Sequence, residues 1–213
     1  MNPHKDVWNE NLHNDILKIN NKLKVYDYWL DKFDEYIMSS NKTIIDLGCG
    51  IGNDTLYLIN KGKDVLSVDF SEEGLKIVKN NIPSSKVKLM DFANNYSLEE
   101  NIADLIIANL SLHYFDEKTT FNILNNIRKT LTANGVLILR VNSINDKNYG
   151  ADNKSIEIER HYYKSSTLNK RFFDEDDIKY FFKDWNILYC KEMQICTDIH
   201  REPKVLWECV VKK

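Results

Sequence analysis

The chain has 213 residues, 43% hydrophobic and 29% charged, with a formal net charge of -3. That length and balance describe one globular domain with a substantial core, and argue against a disordered chain or two full enzymatic domains. The small negative charge disfavours nucleic acid as a partner unless a local basic patch serves it, and no apolar run approaches the ~20 residues that span a bilayer.

Residues 1–40 read as a helical amino-terminal cap: Val25, Trp29, Phe33 and Ile37 recur every four residues, and Leu12, Ile16, Ile19 and Leu23 fall at helical spacings. A core begins at residue 41. Thr43 to Leu47 is a short apolar run stopped by glycines, as expected of a buried parallel strand. Asn53 to Lys61 reads as a helix ending near Gly62, and Asp64 to Asp69 as a second strand. Ser71 caps a helix carrying Leu75, Val78 and Ile82 on one face, which Pro83 ends. Strands follow at Lys86 to Met90 and Ala103 to Asn109. Asp116 then caps a helix terminated by Asn134-Gly135, and Val136 to Val141 is the fifth strand. Five strands alternating with helices predict a doubly wound α/β domain with a parallel sheet.

The alternation stops at residue 142. Residues 142–171 show no sustained periodicity and read as a lid or acceptor-binding insert. Over residues 172–213, Asp174 starts a helix with Ile178, Phe181 and Phe182 inward. Trp185 to Ile195 and Lys204 to Val211 then form two strands whose short connection requires antiparallel pairing. The whole is expected to be a single domain.

Four cysteines, Cys49, Cys190, Cys196 and Cys209, form no CxxC pair and no ligand run with histidine, so neither a metal site nor a disulfide framework is expected. They read as buried thiols in a reducing cytoplasm, and the start of the chain lacks the pattern of a signal peptide.

The informative segment is Asp46-Leu47-Gly48-Cys49-Gly50-Ile51-Gly52, at the carboxyl end of the first strand, where doubly wound sheets bind ligands. Its glycines permit positive φ and close backbone approach. The pattern is GxGxG: Asn53 stands where a nicotinamide fingerprint has its third glycine, and no Gly-Lys-Ser/Thr follows for a P-loop. Asp46 would oppose a pyrophosphate but suits a ligand with an ammonium and a sulfonium group. Asp69 ends the second strand where an acid accepts both hydroxyls of a ribose, with Phe70 beside it. Asp91 follows the third strand, placed to accept an adenine amino group while Phe92 lies against the base.

These segments, with Ala103-Asp104-Leu105-Ile106-Ile107-Ala108-Asn109, resemble in order the motifs of class I, Rossmann-like S-adenosylmethionine-dependent methyltransferases over roughly residues 40–142. The resemblance implies a mostly parallel seven-stranded sheet with an antiparallel last strand, and S-adenosylmethionine as cofactor. It places Asp46, Gly48, Cys49, Gly50 and Gly52 near the methionine portion, Asp69 on the ribose, Asp91 and Phe92 at adenine, and Asn109 and Leu110 beside the methyl group. Residues 171–185 are further similar to the small-molecule branch that includes the tellurite-resistance methyltransferases.

For the acceptor, the sequence offers candidates. His113, just past the fourth strand, is the leading general base, with a packing role as the alternative. Trp8, Tyr26, Tyr114, Tyr149, Tyr162 and Tyr163 could wall an acceptor pocket, and Arg171 could hold an anionic acceptor. Asn109-Leu110-Ser111-Leu112 is not the Asn/Asp-Pro-Pro-Tyr/Phe motif of exocyclic amino methylation on DNA bases, and no Pro-Cys nucleophile is present. A small-molecule methyltransferase is the expectation. The alternatives are a cofactor-binding regulatory protein without catalysis and a methyltransferase acting on a macromolecule. Oligomeric state is open.

Overall fold

The computed structural model describes residues 23–25, 27–147, 155–164, 168–195 and 203–213. Seven strands form the main sheet: β1 (Ile44–Leu47), β2 (Val65–Asp69), β3 (Lys86–Leu89), β4 (Ala103–Asn109), β5 (Leu131–Asn142), β9 (Asn186–Ile195) and β10 (Lys204–Lys212). Their order is β3-β2-β1-β4-β5-β10-β9. The first five strands pair in parallel, and β10 runs antiparallel to both of its neighbours.

All four residues of β1 are buried, as a central parallel strand covered on both faces requires. One face packs Leu105, Ile107 and Ile138 against Trp29, Phe33, Tyr57 and Leu58. The other packs Ile106, Ala108, Leu137 and Leu139 against Ile123, Leu124, Ile127, Phe173 and Phe181. The chain turns from β3-β2-β1 outward to β4-β5, so the sheet order reverses between β1 and β4, and a crevice opens at their carboxyl ends.

Caps set the helices over this crevice. The Ser71 side chain accepts Gly74 N–H at the start of the helix Glu72–Asn81, and Asp116 accepts Thr119 N–H at the start of the helix Glu117–Thr130. Asp174 and Asp177 form a reciprocal capping box on the helix Glu175–Phe181. At the amino-terminal end, residues 29–33 are a 3-10 turn continuing into the helix Asp34–Ser39; Leu12, Ile16 and Ile19 lie outside the described residues.

Two expectations are corrected and one is sharpened. The helix expected to run to Asn134-Gly135 stops at Thr130, because Leu131 turns extended (φ -70, ψ 141) and its segment already pairs with Ala103 of β4. The segment 142–171, where the sequence shows no sustained period, carries regular structure among its described residues: β6 (Ile156–Glu159), β7 (Tyr162–Lys164) and β8 (Lys170–Arg171) form a second, antiparallel sheet. Each strand is only two to four residues long, too short to show a period in the sequence. Finally, Cys190 and Cys209 stand directly opposite each other on β9 and β10 and are joined as a disulfide. Only the strand register brings them together, which spacing in the sequence does not reveal.

Candidate cofactor and acceptor site

Gly48, Gly50 and Gly52 all have positive φ, at 80°, 55° and 93°. At Gly48 the absence of a side chain is also steric, since a Cβ there would lie 2.3 Å from the Cβ of Ser111. The loop is pinned to β2: Gly48 and Cys49 N–H groups both donate to the Val68 carbonyl, at 2.7 and 3.1 Å. Gly50 N–H donates to Asp69 Oδ2 and Ser71 N–H to Asp69 Oδ1, each at 2.9 Å. One carboxylate thus fixes both the glycine loop and the turn after β2.

Asp46 is 2% exposed and accepts Thr55 Oγ1 at 2.6 Å, and Thr55 continues through Ser67 to Ser85. Burial, then the charges of Asp54 and Asp69, pushes the Asp46 carboxyl up to about 8 against the opposing Thr55 bond. Burial likewise raises Asp69 and Asp54, and holds the Cys49 thiol well above its ordinary range. Such a cluster of buried acids is completed by a positively charged ligand. At the next strand end Asp91 accepts Ala93 N–H at 3.2 Å and Asn94 Nδ2 at 2.9 Å, and Phe92 meets Phe115 edge to face at 5.7 Å.

The loop and the strand ends open on one cavity of about 540 Å³, although Gly52, expected near the methionine portion, is not among the residues that line it. Asp46, Gly48, Cys49, Gly50, Asp69, Phe70, Asp91, Phe92, Asn109 and Leu110 line it, as do Tyr114 and Tyr162. The sequence reading missed Asn53 and Asp54, Ser111, Phe115 and Asp116, Thr119, Leu168 and Asn169, which also line it. Asn53 and Asp54 were accessible to inspection as the first helical residues after the glycine loop. Leu110, named from the resemblance, has a φ of 53°, a strained conformation for a bulky residue, held by its N–H on the Arg140 carbonyl at 3.0 Å.

Other candidates are not brought to the cavity. His113 is 2% exposed, packs on Tyr114 at 4.1 Å between ring centroids, and is absent from the lining. Burial holds its imidazole well below the ordinary value, and its Nδ1 has no hydrogen-bond partner. Tyr163 packs on Phe172 away from the lining. Arg171 is spent within the protein: its guanidinium bonds Glu159 at 2.5 Å and the carbonyls of Arg160 and Phe115 at 2.9 and 3.3 Å. Its side chain also lies 5.1 Å from the rings of Tyr162 and Phe181. Trp8, Tyr26 and Tyr149 lie outside the described residues.

One metal-type cluster occurs among the described residues, His161 with Asp174 and Asp177. Arg160 already bridges both carboxylates, and His161 Nδ1 meets Asp177 at 2.6 Å, so these groups are mutually satisfied. No helix among the described residues is long and apolar enough to cross a membrane.

Residues 44–135 match the family described as a methyltransferase domain. An uncharacterized methyltransferase of Oceanobacillus iheyensis is 22% identical over 76% of this chain and 81% of its own length. Other curated relatives are matched over less than half of their length. Among solved structures, a SAM-dependent methyltransferase from Methanosarcina mazei superposes with a TM-score of 0.75 at 18% identity, covering 90% of this chain and 99% of that one. The 1,6-didemethyltoxoflavin-N1-methyltransferase of Burkholderia thailandensis, solved with its substrate and S-adenosylhomocysteine, gives 0.65 at 15% identity over 100% and 91%. Residues 44–135 thus resemble a methyltransferase domain, and the seven-stranded sheet has the class I, Rossmann-like fold of the S-adenosylmethionine-dependent methyltransferases with which it superposes.

Proposed function

We propose that the chain methylates a small molecule bound in the same cavity as the cofactor. The observation that carries this reading is the continuity of the cavity. One end is walled by Asp46, Gly50, Asp69 and Asp91, and the same space reaches Tyr114, Tyr162, Leu168 and Asn169. Tyr162 and Asn169 come from β7 and the approach to β8, so the small second sheet roofs the acceptor end. A roofed, aromatic-walled space of this size suits a compact acceptor rather than an extended polymer. The Burkholderia thailandensis neighbour, solved with 1,6-didemethyltoxoflavin bound, supports the same reading.

The bound cofactor supplies an electrophilic methyl group on a sulfonium, and its transfer is an in-line displacement. The chain's own residues therefore bind, orient and exclude water. Asp69 would hold the ribose hydroxyls, Asp91 the adenine amino group with Phe92 against the base, and Asp46 the cationic methionine portion. Asn109 and Leu110, which line the cavity, would flank the methyl group. Tyr114 and Tyr162 wall that region; Tyr162 is itself fixed by donating to the Tyr114 carbonyl at 3.2 Å. His113, buried and neutral, packs behind Tyr114 and shapes this wall.

The test is release of S-adenosylhomocysteine with methyl-labelled cofactor, comparing a small-molecule panel with bulk tRNA, duplex DNA and protein extract. Label transferred to small molecules is the expected result. Transfer only to a macromolecule, or cofactor binding without any transfer, overturns the reading.

A further inference from the structure

Asp116 caps the helix Glu117–Thr130 with one carboxylate oxygen only: Oδ1 accepts Thr119 N–H at 2.7 Å. The other oxygen, Oδ2, enters no hydrogen bond or ion pair among the described residues, and the residue is half-buried in the lining of the cavity. The remaining acids of that lining have other work. Asp54 accepts Trp29 Nε1 and Asn53 Nδ2, at 3.0 and 2.9 Å. Asp46, Asp69 and Asp91 stand at the ends of the first three strands, where the proposed function gives them to the cofactor.

The charge of Asp116 is left without a counter-charge by its neighbours. Arg171 donates to the Phe115 carbonyl at 3.3 Å, but Glu159 already matches its charge at 2.5 Å. The positive end of the helix offsets only about half a charge. A carboxylate in the wall of a cavity under these conditions is stabilised by a cation that enters beside it. The surrounding side chains suit an organic cation. Tyr114, Phe115 and Tyr162 line the cavity together with Asp116. Tyr162 is held by its hydroxyl on the Tyr114 carbonyl at 3.2 Å, and it is close enough for the Asp116 charge to add to burial in raising its phenol. Aromatic rings attract an ammonium group, and a ligand carboxylate at the same place would meet a like charge.

We infer that the acceptor carries a positively charged amino group, held by Oδ2 of Asp116 among the rings of Tyr114, Phe115 and Tyr162. This names the substrate class for the proposed function and rests on it. A protonated amine has no free lone pair, so this group is a handle, and the methyl group goes to another atom of the same molecule.

The experiment titrates the full chain, saturated with S-adenosylhomocysteine, with phenethylamine, phenethyl alcohol and hydrocinnamate, which share a ring and differ in the charge of the head group. By calorimetry the amine should bind at least about tenfold more tightly than the alcohol, and the acid most weakly. Asp116→Asn removes the charge but keeps an acceptor for Thr119 N–H, so the helix cap stands. In this variant, and in Asp116→Ser as a second, the advantage of the amine should shrink to about twofold or less, with alcohol and S-adenosylhomocysteine affinities held within about twofold. Equal binding of amine and alcohol by the unmutated chain, or no binding of the amine, overturns the inference and leaves small-molecule methylation standing. An advantage that survives both substitutions also overturns it, as does a matching loss of S-adenosylhomocysteine affinity, which would assign Asp116 to the cofactor. Methyl transfer to macromolecules alone overturns both readings.

Discussion

The indole Nε1 of Trp29 donates to Oδ1 of Asp54 at 3.0 Å, tying the amino-terminal turn to the first helical residues of the cofactor site. The Trp29 ring in turn lies 4.4 Å from the guanidinium of Arg140, which pairs with Asp27 and Glu208. Asn53 closes the same seam by donating to the Asp27 carbonyl at 3.2 Å. The segment before β1 thereby braces Asn53 and Asp54, which line the cavity, without itself lining it.

Trp29→Phe keeps an aromatic ring over Arg140 but removes the donor to a buried carboxylate. A hydrogen bond to a charged group is worth roughly 1.5–3 kcal/mol, and stability should fall by about that amount. Denaturant unfolding measures the loss, and a calorimetric titration should show weaker S-adenosylhomocysteine binding alongside it. Unchanged values in both would separate Trp29 from the site.

Gly48→Ala should damage the loop twice over. The residue sits at φ 80°, and its new Cβ meets Ser111, whose hydroxyl is already committed to the Leu47 carbonyl at 2.7 Å. A loss of about 2 kcal/mol or more is expected, with cofactor binding reduced. Adding Ser111→Gly should restore only part of it, because the contact is relieved and the backbone strain is not.

Asp69→Ala removes the acceptor for Gly50 and Ser71 and, in the proposed function, for the ribose. S-adenosylhomocysteine affinity should drop at least about tenfold, equivalent to 1.4 kcal/mol. A titration giving the unmutated affinity would dismiss the ribose assignment.

Asp46, pushed from 3.8 up to about 8, predicts a pH dependence with a definite sign. Between those values the folded chain retains a proton that the unfolded chain has lost. This group's contribution to stability is therefore intact below about 3.8 and is lost progressively as pH rises toward about 8. A cationic cofactor displaces the same proton, so its affinity should rise with pH over this range and level off above about 8. Titrations in buffers of different ionisation enthalpy should register proton release, and Asp46→Asn should abolish it. Binding with no proton release refutes the linkage.

Arg171→Met should act on stability rather than on acceptor charge preference. It leaves Glu159 without its partner and frees the carbonyls of Arg160 and Phe115, at a cost of roughly 2 kcal/mol or more. The ranking of anionic and neutral acceptors should not move. A selective loss of anionic acceptors would restore Arg171 to the pocket.

Local chemistry determined much of this protein by itself. Buried apolar runs closed by glycines at β1, by Asp at β2 and by Asn at β4 made these strands legible, the caps Ser71, Asp116 and Asp174 marked three helix starts, and the GxGxG loop with Asp46, Asp69 and Asp91 marked the strand ends that open on the cavity. Each of these signals is carried by neighbours in the chain, where spacing and side-chain type suffice. Tertiary structure alone decided what long-range packing controls. It paired Cys190 with Cys209 through strand register, turned part of residues 142–171 into a small roofing sheet, and committed Arg171 to that sheet. It also buried His113 behind Tyr114, and it set Asp54 between Trp29, Asn53 and Asn109. These outcomes depend on which distant groups satisfy each buried charge and hydrogen bond, and a linear sequence does not state those partners.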